Sequence, residues 1–330
     1  MEQIYGIDLS QKKFDVSYQT DDGKNGHKVI KNDLQGIIRF LEFLPENVLL
    51  CAEHTGVCGE LLLFLCTCLH IPIALTTGYQ IKHSLGLQRG KSDKVDSIRI
   101  REYGERFRDK LTVIDYPSES MKELKELLGL RSQLVKERKM LLTHESRTKN
   151  LPFNSVKIHQ VTLCMLNGLN QAISEIEDEM KHIIDANIDL RKNYMLVTDI
   201  IGVGQVTACD LIVKTENFTA ISTAKKAASY AGICPFPNSS GEMVRKSKVS
   251  RMADKELKSL LYMCAVSSMR SNPECKLYYA RKKLEGKPYF LIMNNISNKL
   301  LRTIYAVVKT GKRYQLGHIT EDPRLSKKVA

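Results

Sequence analysis

The sequence predicts an α/β sheet domain, a segment of long helices and a mainly helical third region. Three observations support this. Strand and helix patterns alternate over about the first hundred residues, long charged helical repeats follow Pro117, and a Gly-x-Gly turn between apolar helical stretches opens a new region near Leu196. A chain of 330 residues exceeds the usual size of one domain and carries enough apolar residues for more than one core. The expected division is 1–115, 116–190 and 191–330.

Taken in order, Ile4–Asp8, Phe14–Tyr18 and Gly26–Lys31 have strand character, with an Asp21-Asp22-Gly23-Lys24 turn between the last two. Asn32 or Asp33 then caps a helix whose apolar positions Leu34, Ile37, Ile38, Leu41 and Leu44 follow the 3.6 period. Asn47–Glu53 is a fourth strand, Val57–His70 a buried helix, Ile71–Thr76 a fifth strand and Ser92–Tyr103 a further helix. A three-strand meander followed by alternating helices and strands makes a mixed sheet. Residues 119–149 form a charged helix that Pro152 ends. In the next helix Leu166, Leu169, Ile173, Ile176, Met180 and Ile183 step by three and four, the spacing of a coiled-coil seam. Together the two predict an antiparallel coiled-coil arm, or two helices packed on a domain; heptad seams also mediate dimers. Around Ile200–Ala208, Gly202 and Gly204 mark a helix-hairpin-helix-like turn whose amides suit a DNA phosphate, although such turns are often structural.

The formal charge of +13 is unevenly placed: residues 231–330 hold 20 Lys and Arg against 7 Asp and Glu, whereas residues 1–230 balance at 30 against 30. A basic C-terminal third favours a polyanionic partner, because clustered Lys and Arg release counterions from phosphates. The nine cysteines lack paired CxxC spacing, which predicts buried thiols in a reducing cytosol. The N-terminus lacks a signal-peptide pattern, and the longest apolar run, near Leu61–Leu69, is too short to span a bilayer, so no membrane partner is expected.

Asp8 and Glu53 end two strands expected to be neighbours, and Asp93 and Asp96 share one face at a helix start. Carboxylates gathered in this way repel unless a divalent cation neutralises them, and Mg²⁺ (or Mn²⁺) suits oxygen ligands of this kind. Taken singly, an Asp at a strand end is a turn residue and an Asp pair at a helix start serves the helix dipole. Function therefore rests on the set.

Tyr5-Gly6-Ile7-Asp8, Ala52-Glu53-His54-Thr55-Gly56 and Lys91-Ser92-Asp93-Lys94-Val95-Asp96-Ser97 resemble the three acidic motifs of DEDD-type insertion-sequence transposases, the group that includes the pilin-gene invertase and the bridge-RNA-guided recombinases. Asp199–Gly204, Tyr230–Pro235, Ser239-Ser240-Gly241 and Asn298–Gly311 are similar to the second domain of that family, so the resemblance spans nearly the whole chain. It implies an RNase H-like, RuvC-type domain, a coiled-coil insertion and a C-terminal transposase domain. It further implies metal binding by Asp8, Glu53, Asp93 and Asp96, and a covalent protein–DNA intermediate on Ser239 or Ser240. Ser240 directly precedes Gly241, whereas spacing to Val249-Ser250-Arg251 favours Ser239; both stay open, and apart from the resemblance the pair reads as a polar loop after Pro235 and Pro237. The partners implied are donor and target DNA, a guide RNA, and a second copy of the chain in a homodimer assembling to a tetramer.

The chain departs from the family pattern where relatives continue with a Gly-rich stretch and Ser-Lys-x-Gly-Asp/Asn. Here the residues are Glu242-Met243-Val244 and Ser250-Arg251-Met252-Ala253-Asp254. Arg245, Lys246, Lys248 and Arg251 form a basic run directly after the serines, suited to clamping phosphates, and Lys91 adjoins the third acidic motif. Three other functions compete. A metal-dependent nuclease or junction resolvase needs the acids but no serine. A sugar-kinase-like ATPase would share Gly6-Ile7-Asp8-Leu9-Ser10 but requires a second Asp-Gly phosphate loop, which no suitable place supplies. A non-catalytic DNA-binding regulator would keep the acids for structure alone.

Overall fold

The computed structural model describes residues 3–20, 22–54, 56–86, 90, 92–148, 155–240 and 243–317, with the backbone alone over 237–248. The chain divides into two compact units, one up to Pro117 and one from Ser118.

The first unit is built on β1 (Gln3–Leu9), β2 (Lys13–Gln19), β3 (Asn25–Lys31), β4 (Val48–Glu53) and β5 (Ile73–Thr76), in the order β3-β2-β1-β4-β5. The β1/β2 and β2/β3 pairs are antiparallel, and the β1/β4 and β4/β5 pairs are parallel. This is the mixed sheet that a meander followed by helical crossovers requires. Period-2 alternation divides β1 between the two faces of the sheet. Tyr5, Ile7 and Leu9 pack with Phe14 and Val16 against Ile37, Phe40 and Leu41 of α1 (Leu34–Glu42) and Leu62, Leu63 and Cys66 of α2 (Glu60–Cys68). Ile4 turns the other way, with Leu49, Cys51 and Ala74, towards Ile81 of α3 (Gly78–Ser84) and Ile100 and Tyr103 of α4 (Asp93–Arg106).

Asp33 is the residue that caps α1, accepting from the Gly36 amide at 2.7 Å. The helix expected over Val57–His70 opens as a 3₁₀ turn over Gly56–Gly59, because the glycines at both ends of that segment give the backbone little reason to hold an α-helical start. α3 was not anticipated. Its Thr77–Gln80 capping box sets it, with Ile81 as its one buried residue.

The second unit opens with α5 (Glu119–Thr148) and α6 (Val156–Ala186). Arg131 meets Glu177 at 2.6 Å, Arg138 donates to Asn170 at 3.0 Å and His159 meets Glu145 at 3.2 Å. Partners rising on one helix as they fall on the other make the pair antiparallel. On α6, Leu166, Ile173, Ile176, Met180 and Ile183 are buried. α7 (Ile188–Thr198), α8 (Gln205–Lys214), α9 (Ala224–Tyr230), a hairpin of β6 (Phe236–Ser240) and β7 (Met243–Lys248), α10 (Lys255–Ser271), α11 (Pro273–Leu284) and α12 (Tyr289–Thr310) follow. The core gathers around α12, where Ile292, Ile296, Leu300, Leu301 and Ile304 pack with Leu257 and Leu261 of α10 and Leu211 of α8; Leu124, Met180 and Ile184 join the same core. Each fully buried side chain of this size contributes roughly 1.5–3 kcal/mol.

Between α7 and α8, Gly202 has φ +93°, and any side chain there would strike Ser268 of α10. The Ser268 hydroxyl donates to the Ile201 carbonyl at 2.8 Å. Close packing therefore accounts for this glycine, while Gly204 caps α8 from an exposed position. All nine cysteines are unpaired. No described helix is long and apolar enough to cross a membrane.

Candidate active site

The acids of the first unit converge because of strand register and one glycine. In the parallel β1/β4 pair Ile7 lies opposite Ala52, so Asp8 and Glu53, one residue further on, stand side by side at the carboxyl ends of their strands. Ser92 caps α4 through the Val95 amide at 3.3 Å, which places Asp93 and Asp96 in the first turn. Gly6 brings that helix onto the sheet: a methyl group there would collide with the Arg101 amide and the Ser97 carbonyl. Arg101, itself buried, ties α4 to β3 by donating to the Asn25 side-chain oxygen.

The acids act on Asp8 through their charge. Burial pushes the Asp8 carboxyl up to about 6, and the carboxylates of Asp96, Asp93, Glu53 and Asp15 all add to that shift. Like charges disfavour the ionised form of a neighbour, and at Asp8 the acids outweigh the cations.

Sequence reasoning missed four residues here, Asp15, His27, Lys13 and Arg99. Asp15 lies directly opposite Asp8 in the antiparallel β1/β2 pair, on the same face, and is buried. His27 Nε2 is 2.7 Å from its Oδ1, and Lys13 Nζ is 3.4 Å from its Oδ2. Lys13 also lies 3.0 Å from Asp93, and Arg99 pairs with Asp96 at 2.9 Å. The signal was present in the tight Ser10–Lys12 connection: with Leu9 opposite Phe14, the next pair out is Asp8 opposite Asp15.

Among the described residues, no three acids or histidines stand close enough to grip one ion as they lie. Asp93 and Asp96 are each turned to a basic side chain. The donor set itself fits a hard divalent cation, being all carboxylate oxygen and short of positive charge at Asp8. Asp8, Glu53, Asp93 and Asp96 are the residues that would hold it.

The serines lie in the second unit, at the end of β6, where Ser239 pairs with Val244 and Ser240 with Met243. The segment forms a hairpin where a loop was expected. Phe236 pairs with Lys248 and Asn238 with Arg245, with a register shift between them that falls beside Pro237, a residue without an amide to donate. Arg245, Lys246 and Lys248 thus lie on β7. Arg251 is exposed in the following turn. Lys91 and Gly241 lie outside the described residues.

Beyond the hairpin, Asp254 gathers partners from α8, α9 and α10. Asp254 caps α10 through the Leu257 amide at 2.7 Å, receives Lys214 at 3.0 Å and the Tyr230 hydroxyl at 3.3 Å, and its own amide donates to the Tyr230 carbonyl at 2.8 Å. Lys214 also lies 2.9 Å from the buried Asp210. Burial pushes the Asp210 carboxyl up to about 6, opposed by Lys214.

Two family models match the chain. One described as a transposase, of the IS110 DEDD type, covers residues 5–172, and one described as the transposase IS116/IS110/IS902 family covers residues 194–280. The chain is 26% identical over 320 residues to the pilin gene-inverting protein of Moraxella lacunata, covering 94% of this chain and 96% of that one. It is also 26% identical over 144 residues to the insertion element IS110 uncharacterized 43.6 kDa protein of Streptomyces coelicolor, covering 44% of this chain and 36% of that one. Asp8, Glu53, Asp93 and Asp96 fall in the first match and the serine hairpin in the second, and the family implies an RNase H-like fold and dependence on a divalent metal. The chain belongs to the IS110 family of DEDD transposases, enzymes of DNA recombination.

Proposed function

We propose that this protein cleaves and rejoins DNA strands through a covalent serine–DNA intermediate, with Mg²⁺ or Mn²⁺ held by Asp8, Glu53, Asp93 and Asp96. The observation that carries the metal half is the Asp8 carboxyl, raised to about 6 by burial and by every other acid of the set. Bound there, the ion would polarise the phosphate and stabilise the oxygens that enter and leave. The β1 and β4 ends and the first turn of α4 hold the four carboxylates, while Gly6 keeps α4 on the sheet.

In the covalent step, the oxygen of Ser239 or Ser240 forms a bond to phosphorus as one phosphorus–deoxyribose oxygen bond breaks. The hydroxyl gives up its proton and the departing deoxyribose oxygen takes one up. One phosphodiester replaces another, so the reverse attack by a second strand end rejoins DNA without an energy source. The hairpin location of both serines supports this role, since β7 places Arg245, Lys246 and Lys248 on the paired strand. Those residues and Arg251 serve as the phosphate clamp, with Lys91 beside the third acidic motif and the amides around Gly202 and Gly204 as further contacts.

Donor and target DNA are the substrates in this reading. A structured guide RNA fits the excess of 20 basic over 7 acidic residues in the last hundred. The α5–α6 pair acts as a coiled-coil arm through which two chains meet and from which a tetramer is built. Met140, Val156, Ile158 and Met165 support this, being 65%, 72%, 56% and 52% exposed along that pair. Replacing both Ser239 and Ser240 by Ala tests the serine chemistry: strand transfer and covalent adducts are both lost, whereas retained strand cleavage would return the protein to the nuclease class.

A further inference from the structure

Lys13 lies inside the acidic site rather than beside it. It precedes Asp15 by two residues on β2 and so shares the face that carries Asp8 and Asp15. Its ammonium bridges two elements, 3.0 Å from Asp93 on α4 and 3.4 Å from Asp15 on β2. Asp96 is paired in another way, with Arg99 at 2.9 Å, which also donates to the Gly90 carbonyl. The two cations differ in setting. Arg99 is held by Asp96 and by the Gly90 carbonyl, whereas the Lys13 side chain is 47% exposed and the Asp93 side chain 58% exposed, so this bridge is open to solvent.

A lysine ammonium carries three donors and no lone pair, so it has no capacity to ligate a metal ion. It also repels any divalent cation that takes Asp93. We propose that Lys13 is the resident counter-ion of the carboxylate site, that it yields Asp93 to the divalent ion, and that the released ammonium then contacts the DNA phosphate at the rim. The inference rests on the metal-site reading of the four acids. It makes Lys13 a competitor of the metal and a helper of the reaction at once, two effects of opposite sign that a purely structural lysine would not produce.

The test is calorimetric titration of Mn²⁺ into the full-length chain without DNA, for wild type, Lys13→Met, Lys13→Gln and Asp8→Asn, paired with single-turnover strand transfer at saturating metal. Both Lys13 variants are expected to bind Mn²⁺ roughly fivefold more tightly, the equivalent of one exposed ion pair removed. Their strand transfer falls about tenfold or more, and Lys13→Arg restores it in part. Asp8→Asn loses the ion. Unchanged or weaker Mn²⁺ affinity in both Lys13 variants, with binding lost in Asp8→Asn, overturns the counter-ion role alone. Tighter Mn²⁺ binding with undiminished strand transfer overturns the phosphate contact. Full Mn²⁺ binding by Asp8→Asn sinks the metal-site reading, and the Lys13 inference falls with it.

Discussion

Asp8 and Asp15 face each other across the antiparallel β1/β2 pair, two carboxylates at directly opposed positions on one face of the sheet. Like charges directly opposite destabilise a strand pair. Asp15 is held by His27 at 2.7 Å and by Lys13 at 3.4 Å, whereas the Asp8 carboxyl is raised to about 6, chiefly by burial, then by Asp96, Asp93 and Glu53, and least by Asp15. Stability has been given up at this point in the fold for the sake of a site.

That trade fixes the pH dependence of the metal-free protein. The folded Asp8 value lies above the free aspartate's 3.8, chiefly through burial. Such a group adds stability below its unfolded value, and the gain is lost as pH rises through about 6. Asp8→Asn, which does not ionise, is therefore expected to unfold at a higher temperature than wild type at pH 7 without metal, by about 2 °C or more. The difference shrinks below pH 4, and added Mn²⁺ raises the transition of wild type only. Scanning fluorimetry across pH decides it; a wild type more stable than Asp8→Asn at pH 7 without metal contradicts the account.

Gly6→Ala inserts a methyl group where the backbone of α4 now lies, against the Arg101 amide and the Ser97 carbonyl. The helix must move, at a cost of about 1–3 kcal/mol, and Asp93 and Asp96 move with it. Urea unfolding should show the loss in the first unit, and Mn²⁺ affinity should fall in parallel. Wild-type stability in this variant would show that the close contact between β1 and α4 is not made.

Lys214→Met removes the cation shared by Asp210 and Asp254 and leaves Asp210 buried without a counter-charge. The expected loss is about 3 kcal/mol, as for other buried pairs broken on one side. Adding Asp210→Asn restores part of it, because the uncompensated charge is then gone. A double-mutant cycle by chemical denaturation measures the coupling, and additive losses would contradict the pairing seen at 2.9 Å.

Neutralising Arg245, Lys246 and Lys248 together should flatten the dependence of DNA affinity on salt, by a slope of about two to three for a duplex. Fluorescence anisotropy at several salt concentrations reads this directly. An unchanged slope would place the phosphate contacts elsewhere on the basic third.

Much of this was legible in the residues. Alternation marked β1, β2 and β3, the 3.6 period marked α1, and Leu166 to Ile183 gave the buried stripe of α6. The four acids were visible because each ends a strand or starts a helix. Asp15 was not, because a charged residue inside a strand declares its face only once the partner strand and its register are known. α3 escaped because a seven-residue helix with one buried side chain carries almost no periodicity. The serine hairpin was read as a loop because Pro237, Asn238, Ser239, Ser240 and Gly241 are turn formers, and pairing between β6 and β7 overrides that preference.

The central claim is a covalent bond between DNA and a hairpin serine, formed only with the metal-dependent acids intact. It is tested most directly by incubating the protein with Mg²⁺ and its DNA substrate, denaturing the mixture, and mapping any DNA-linked peptide by mass spectrometry. The account predicts an adduct on Ser239 or Ser240, absent from the Asp8→Asn protein and from the doubly substituted Ser239→Ala, Ser240→Ala protein. Efficient strand transfer with no adduct, or an adduct on a residue outside the hairpin, would contradict it.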